Sequence, residues 1–540
     1  MFLQSTKNRT IVCFLSLECF FLVEPLYFSS FVSYNEYIVI AKDYFSIFSK
    51  RRTQLEGTNN MEVIQKIYDL LWGPWMIYGI MIVGLIFTIA TKGVQVRFFK
   101  DMFGQIFTGK KSEAGVSSFQ AMSMALSGRI GTGNIAGTAT AIAFGGPGAI
   151  FWMWAIAFIG SATAYVESTL AQIYKEERNG VYRGGPAYYI HKFTGKRWLG
   201  MIFAVAALIA MSFLQPTVQA NAIADAMNNA FAIPHWVSGL AVCLILGLII
   251  VGGVKRIANA ASVIVPFMAA AYILVAAIII ILNIDQVPAV FGLIFRSAFG
   301  VDTMFGGMIG AAIAWGVKRG IYANEAGQGT GAHPAAAAEV SHPVKQGLVQ
   351  AASVYIDTFL VCTATAFMVL FTGMYNVQED DGKGKFIVEN IPGIEAGTAF
   401  TQKAVDAAFP IDGFGTIFVA LALFFFAFTT TMAYYYIAET NVAYMFEGKR
   451  QKIAIRIVQV VILLATYFGA VRPSESAWTL GDIGLGIMVW INVIALLFLV
   501  KPALIALKDF EQQKKAGKDP VFDPEKLGIK NADFWTKSKK

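Results

Sequence analysis

The strongest constraint in this sequence is a succession of apolar segments, each near the ~20 residues a helix needs to cross a bilayer. Their approximate cores are residues 71–91, 122–144, 149–174, 199–222, 237–253, 260–282, 304–323, 346–371, 413–445, 453–469 and 480–500. Eleven such runs in 540 residues, with 56% hydrophobic and 14% charged residues, define an all-α polytopic membrane protein. The net charge of +8 is carried by loops between the runs, so it sets topology and is no nucleic-acid signal. Lys92, Arg97, Lys100, Lys110 and Lys111 follow the first span; Lys175, Arg178, Arg183, Lys192, Lys196 and Arg197 follow the third. Lys255-Arg256 follow the fifth, Lys449, Arg450 and Lys452 the ninth, and the chain ends in Lys-Ser-Lys-Lys. Every second connection is basic. The positive-inside rule therefore places these connections and the C-terminus in the cytoplasm, and the acidic loop at Glu379 outside.

Enzymatic chemistry finds no support. Four histidines form no metal or catalytic pattern, and Cys13, Cys19, Cys243 and Cys362 lack metal-ligand spacing. A channel would need a continuous polar stripe or a ring of charge, whereas the polar interruptions here are local. Gly327-Gln328-Gly329-Thr330-Gly331 follows no strand and lacks the Gly-Lys-Ser/Thr ending of a nucleotide loop.

The second span carries Ser127-Gly128-Arg129-Ile130-Gly131-Thr132-Gly133-Asn134-Ile135-Ala136-Gly137. Four glycines among Ser, Thr and Asn are poor material for an unbroken helix. A break at membrane depth is tolerated only where protein or a wet cavity satisfies the freed N–H and C=O groups. Half-helix ends and bare carbonyls suit a zwitterion and a cation. Thr132 and Gly133, where the helix restarts, are candidates for a substrate carboxylate, against the plainer role of close helix packing. Asn134 is either a tie between helices or a ligand, and its position favours the ligand. Thr429 and Thr430 in the ninth span either back-bond to the preceding turn or join carbonyls at Ser127 and Ile130 in a neutral oxygen cage for a monovalent cation. In the fourth span, Gln215 to Asn221 is too polar for a lipid face. Gln219 is its candidate substrate contact, Asn221 the second, and Pro216 a kink. Glu167, Asp357 and Glu439 lie in apolar spans, either functional or capped by neighbouring helices.

Five helices after the glycine-rich break, the seventh span contains Ala314-Trp315-Gly316-Val317-Lys318-Arg319-Gly320 and runs into Asn324-Glu325-Ala326-Gly327. Interrupted helices at matching places five spans apart predict two halves, about 117–283 and 302–506, inverted relative to each other, with the first helix as an extra. Residues 509–540 form a tail beyond the transporter domain, 61–508. Residues 1–60 include an aromatic-rich apolar run with Glu18 and Glu24. This is either an additional span or anchor, or an upstream extension with Met61 as the true start; the ordinary helix entry after Met61 favours the extension.

The break together with Gly145-Gly146-Pro147-Gly148-Ala149-Ile150-Phe151-Trp152-Met153-Trp154 resembles the alanine or glycine:cation symporter family of the amino acid–polyamine–cation superfamily. The likeness continues through Gly184-Gly185-Pro186-Ala187-Tyr188-Tyr189-Ile190, 316–329, His342-Pro343-Val344-Lys345-Gln346-Gly347 and 426–441. The resemblance implies a leucine-transporter-type fold of five plus five inverted helices and one extra N-terminal helix. It implies sodium-coupled symport of alanine or glycine across the plasma membrane (the bacterial inner membrane), with Na+ as coupling ion and no organic cofactor. By similarity, Gly131, Thr132, Gly133 and Asn134 are the unwound motif, and Thr132 and Gly133 meet the carboxylate. Ser127, Ile130 and Phe426 give carbonyls, and Thr429 and Thr430 hydroxyls, to sodium; Trp315, Gly316 and Tyr434 bound the side-chain pocket. The alternatives are coupling to protons through Asp357 or Glu167, and a preference for serine or glutamine.

Overall fold

The computed structural model describes residues 63–108, 112–379, 382, 384–472 and 474–537. Residues 67–540 form one compact unit. The expectation about residues 1–60 falls outside the described residues.

This unit is a helical bundle. Its first span is α1 (Pro74–Ala90), opened by proline at its first position, where a missing N–H costs nothing. The second span is α2 (Ser118–Arg129) and α3 (Thr138–Gly145), joined by a non-helical corner and a π-helical turn, Gly133–Gly137. Ser117 starts it with a reciprocal capping box to Gln120. The third span is α4 (Ala149–Ile173). A hairpin of β1 (Glu176–Arg178) and β2 (Val181–Arg183) leads to a short helix, α5 (Pro186–Thr194). The fourth span is α6 (Arg197–Ile209) and α7 (Gln215–Phe231). A π-helical turn, Ala210–Leu214, lies between them just before Pro216: the Pro216 ring would clash with the carbonyl four residues back, and widening the turn relieves it. Then come α8 (His235–Ile250) and α9 (Gly253–Leu282).

The second half repeats this order. The seventh span is α10 (Ile309–Asn324) and the short α11 (Ala332–Ala337). The eighth is α12 (Pro343–Tyr355), a π-helical segment Ile356–Cys362 and α13 (Thr363–Thr372). Again a hairpin, β3 (Asn376–Gln378) with β4 (Phe386–Glu389), leads to a short helix, α14 (Thr398–Ala408). The last three are α15 (Phe414–Met445), α16 (Gly448–Ala470) and α17 (Ser474–Lys515). Helices of equal rank in the two halves pack together: α4 on α12, α7 on α15, α8 on α16, and the halves of the broken α2/α3 pair beside α10. Each half thus opens on an interrupted helix and turns through a hairpin and short helix after its second span. This is the five-plus-five arrangement the resemblance implies. Among the described residues, eight helices are long and apolar enough to span a bilayer, and α8 is a shorter apolar one. The remaining two expected spans are the interrupted ones. Exposed side chains such as Leu248, Phe267, Ile281 and Phe498 give the bundle an apolar outer surface, as lipid contact requires.

One expectation shifts. Residues 314–320 are helical, and the interruption of the seventh span falls later, between α10 and α11. Glu325 ends α10 in a left-handed conformation (φ +55°), and Gly327 and Gly329 follow with φ +88° and +82°. Gly316 and Gly320 serve close packing on α4 instead: a Cβ at Gly316 would lie 2.4 Å from the Ala149 carbonyl oxygen.

At one end of the bundle the C-terminal tail folds back. The Phe522 N–H donates to Ser341 O, Lys345 pairs with Asp519, and Trp535 Nε1 donates to Gln172 O at 3.0 Å. Lys175 sits among the rings of Tyr182, Phe534 and Trp535, 4.5–5.2 Å from their centroids, and burial pulls its pKa down to about 7.

The α4–α12 seam is tightest at Gly347, where a Cβ would stand 2.1 Å from Thr169 Oγ and 2.9 Å from the Tyr165 ring. Overpacking of this kind costs roughly 1–3 kcal/mol. Gly347→Ala is therefore expected to lower the melting temperature of the purified protein in detergent; an unchanged melting temperature would contradict this seam.

Candidate functional site

Ile130 leaves the helical conformation (φ −77°, ψ 90°), so α2 stops at Arg129. Freed backbone groups at the break find partners on other helices or in the corner itself. The Ile130 carbonyl accepts from the Thr430 hydroxyl at 3.2 Å, and the same hydroxyl lies 2.9 Å from the Phe426 carbonyl on α15. Thr429 Oγ donates to that Phe426 carbonyl at 3.0 Å. The Gly131 N–H is taken by Asn134 Oδ1 at 2.9 Å, and the Thr132 N–H by Gln219 Oε1, reaching from α7, at 3.2 Å. Asn134 Nδ2 in turn donates to Asp357 Oδ1 at 2.6 Å and lies 3.3 Å from Cys362 Sγ. All of these residues are buried.

Two corners result, on either side of Gly131. One gathers neutral oxygens: the Ile130 and Phe426 carbonyls and the Thr429 and Thr430 hydroxyls. This donor set fits a hard monovalent cation, because a hydroxyl can turn its hydrogen away from two carbonyls and leave three oxygens facing an ion. The threonine back-bonding weighed in the sequence is present as well, since Phe426 is three and four residues before the two hydroxyls. The other corner holds Thr132, Gly133 and Gln219 at the start of the restarted helical run, where partial positive charge favours an anion. The Thr132 hydroxyl, beside Tyr322, is buried without a partner that meets hydrogen-bond geometry. Gly131 has no room for a side chain: its Cβ would be 2.5 Å from Thr430 Oγ and 3.0 Å from Gln219 Oε1.

The remaining sequence candidates lie around this cluster. Ser127 sits one turn before Ile130 and donates its hydroxyl to Met124 O at 2.7 Å. Trp315 and Tyr434 fall on opposite sides of the break. The Trp315 ring packs 5.0 Å from Phe144 at the end of α3, while Tyr434 faces the Glu325 carboxylate, itself against Gly128 of α2. Gly316 packs on α4. Asn221 donates to the Arg472 carbonyl, away from the break. Of the carboxylates, Glu167 accepts from the Gly329 N–H and Asn492, and Glu439 pairs with Arg183 at 2.5 Å, so neighbouring elements cap both. Asp357 alone of the three bonds the break of the second span, while Glu167 caps that of the seventh.

Sequence reading missed several residues here. Gln215 donates to Gly481 O at 2.8 Å and accepts from the Tyr322 hydroxyl at 3.2 Å, tying α7, α10 and α17 together over the corner. On α17, Asp482 meets Arg319 at 3.5 Å and Lys318 at 3.7 Å, with the Arg319 guanidinium 4.5 Å over the Trp478 ring. The fully buried Arg129 donates to Gln350 and Ser353 on α12. A lone charge within an apolar run was the available signal for Arg129 and Asp482.

Crossing helices, two of them interrupted, with a polar cluster buried at the break, define a multi-pass membrane secondary transporter. The family model described as the sodium:alanine symporter family matches residues 58–524, and the chain belongs to that family. It is 64% identical to YrbD of Bacillus subtilis strain 168 over 476 residues, 88% of this chain and 98% of that protein. A relative from Bacillus sp. strain PS3, named sodium/proton-dependent alanine carrier protein, is 58% identical over 438 residues, 80% of this chain and 97% of its own. Among solved structures, MhsT in complex with L-phenylalanine matches with a TM-score of 0.48 at 14% identity, over 74% of this chain and 99% of that one.

Because Gly131 touches both corners, Gly131→Ala should weaken transport about ten- to hundredfold, the factor expected for an overpacking of roughly 1–3 kcal/mol. Initial-rate uptake in cells, normalised to the amount of protein in the membrane, measures this. Retention of full activity would show that the two corners do not close on this residue.

Proposed function

We propose that this protein imports alanine, with glycine as an accepted smaller substrate, by symport with Na+ into the cytoplasm across the bacterial inner membrane. The observation that carries the reading is the Thr430 hydroxyl shared between the Ile130 and Phe426 carbonyls, at the edge of the same break that presents Thr132 and Gly133. Sodium between α2 and α15 would hold the break in the shape that receives the zwitterion, its carboxylate on the Thr132 and Gly133 side. The basic loops support a cytoplasmic C-terminal tail. One Na+ entering an inside-negative cell contributes about 2.3 kcal/mol per 100 mV before its concentration gradient counts. The relative named a sodium/proton-dependent alanine carrier supports alanine and leaves two coupling ions in view.

A second coupling route has its own observation. Asp357 is buried, faces the broken helix and bonds Asn134, which caps the Gly131 N–H. Protonation of Asp357 would be felt at the Gly131 N–H through Asn134, as a change in the charge that holds its amide.

Uptake of labelled alanine into proteoliposomes, at fixed pH and clamped potential, separates these routes. Accumulation driven by an inward sodium gradient is expected, and Thr429→Ala with Thr430→Ala should raise the sodium concentration for half-activation at least tenfold. Unaltered sodium activation in the double variant removes those hydroxyls from the cation site. Accumulation driven by a proton gradient without sodium, and lost in Asp357→Asn, transfers coupling to Asp357.

A further inference from the structure

The two amide hydrogens at the restarted helix are already occupied by side-chain oxygens of the chain itself, and the two occupants are held very differently. Asn134 Oδ1, on the Gly131 N–H, belongs to an amide whose nitrogen is bound to Asp357 Oδ1 and close to Cys362 Sγ. It cannot leave without breaking those contacts. Gln219 Oε1, on the Thr132 N–H, arrives from a different helix, at the end of a side chain with three rotatable torsions, over a longer 3.2 Å. Beside it, the Thr132 hydroxyl is buried next to Tyr322, with no partner that meets hydrogen-bond geometry. Thr132 therefore offers one N–H held by a movable neutral oxygen and one loosely held hydroxyl, at the positive end of a helical run. A helix end in an apolar interior must keep its N–H groups satisfied even without ligand. An acceptor that fills the place of an anion and can swing aside meets that need.

We infer that the Gln219 amide oxygen is a built-in stand-in for the substrate carboxylate, occupying the Thr132 N–H in the empty protein and giving way to the carboxylate when substrate binds. The released amide then turns its N–H toward the carboxylate, since a Gln side chain carries donor and acceptor on one pivot. The exchange rests on the amino-acid reading above and sharpens it: the ligand needs an anionic α-carboxylate, and alaninamide does not displace the stand-in. It also touches the cation corner. A Cβ on Gly131 would lie within 3.0 Å of Gln219 Oε1 and 2.5 Å of Thr430 Oγ, so departure of the amide frees one wall of the residue whose other wall is the cation hydroxyl.

The test compares labelled-alanine binding at saturating sodium to the full chain in nanodiscs, as the unsubstituted protein, Gln219→Glu and Gln219→Met. Sodium-induced thermal stabilisation verifies that each is folded. Glutamate supplies a charged acceptor that holds the Thr132 N–H more tightly and repels the incoming carboxylate. The exchange predicts a Kd at least 100-fold higher in Gln219→Glu, recovering as pH falls and the new carboxyl is protonated. Methionine removes the competitor and the later partner together, so Gln219→Met should stay within tenfold of the unsubstituted protein. A Met variant as impaired as the Glu variant would overturn the proposal, because the amide would then be a permanent partner. A Glu variant that binds alanine normally at all pH values would also overturn it. An error in the alanine reading shows differently, as no alanine binding by the unsubstituted protein. The three proteins are then ranked with the neutral amino acid it does bind.

Discussion

Everything in this bundle turns on one constraint: a helix interrupted in an apolar interior must have its loose N–H and C=O groups satisfied by something other than water. At Ile130 and Thr132 the partners come from α15 and α7, and Gly131 is capped by Asn134, itself held by Asp357 in the π-helical part of the eighth span. The break is thereby a point where four spans converge on a few polar atoms. The bonds at Ile130 and Thr132 are made by neutral groups, the Thr430 hydroxyl and the Gln219 amide. In the proposed symport, the groups that satisfy the break are thus the groups that meet the ligands.

The surrounding architecture holds that point while leaving it able to change. Equal-rank pairing of helices, with the Gly347 seam as its closest approach, gives each half a rigid partner in the other. The interrupted spans, in contrast, end in short segments such as α3 and α11, which can tilt without unfolding a long helix. On one side of the break the Asp482 pairs with Arg319 and Lys318 cross from α17 to α10. On the other, the C-terminal tail and the Val116–Ala338 bridge tie the approach to α2. Alternating access requires such ties on both sides, because a site open to both solutions would leak the gradient that drives it.

Much of this was legible in the sequence because membrane folding leaves few options. Apolar runs of the right length gave the spans, and clustered glycines with Ser, Thr and Asn marked the break at its true position. The seventh span was read less well. The stretch from Ala314 to Gly327 marked an interruption without fixing its place: Gly316 is there to admit the Ala149 carbonyl, and the turn waits for Glu325 and the positive-φ glycines after it. Composition cannot distinguish a glycine that bends a chain from one that lets a neighbour approach. Glu167 and Glu439 stayed open between function and capping for a similar reason. Their partners, Asn492, Gly329 and Arg183, lie hundreds of residues away or in a connecting hairpin, and no local pattern announces them. Gln215 and Asp482 were invisible as site residues because their importance lies in what they bridge.

In the proposed symport a cation and a zwitterion share one broken helix and are coupled reciprocally. Calorimetric titration of alanine at several sodium concentrations, and of sodium with and without alanine, measures this coupling directly. The account predicts that each ligand tightens the other by the same factor, and that Thr430→Val removes the coupling. Independent binding of the two, or identical coupling in Thr430→Val, would contradict it.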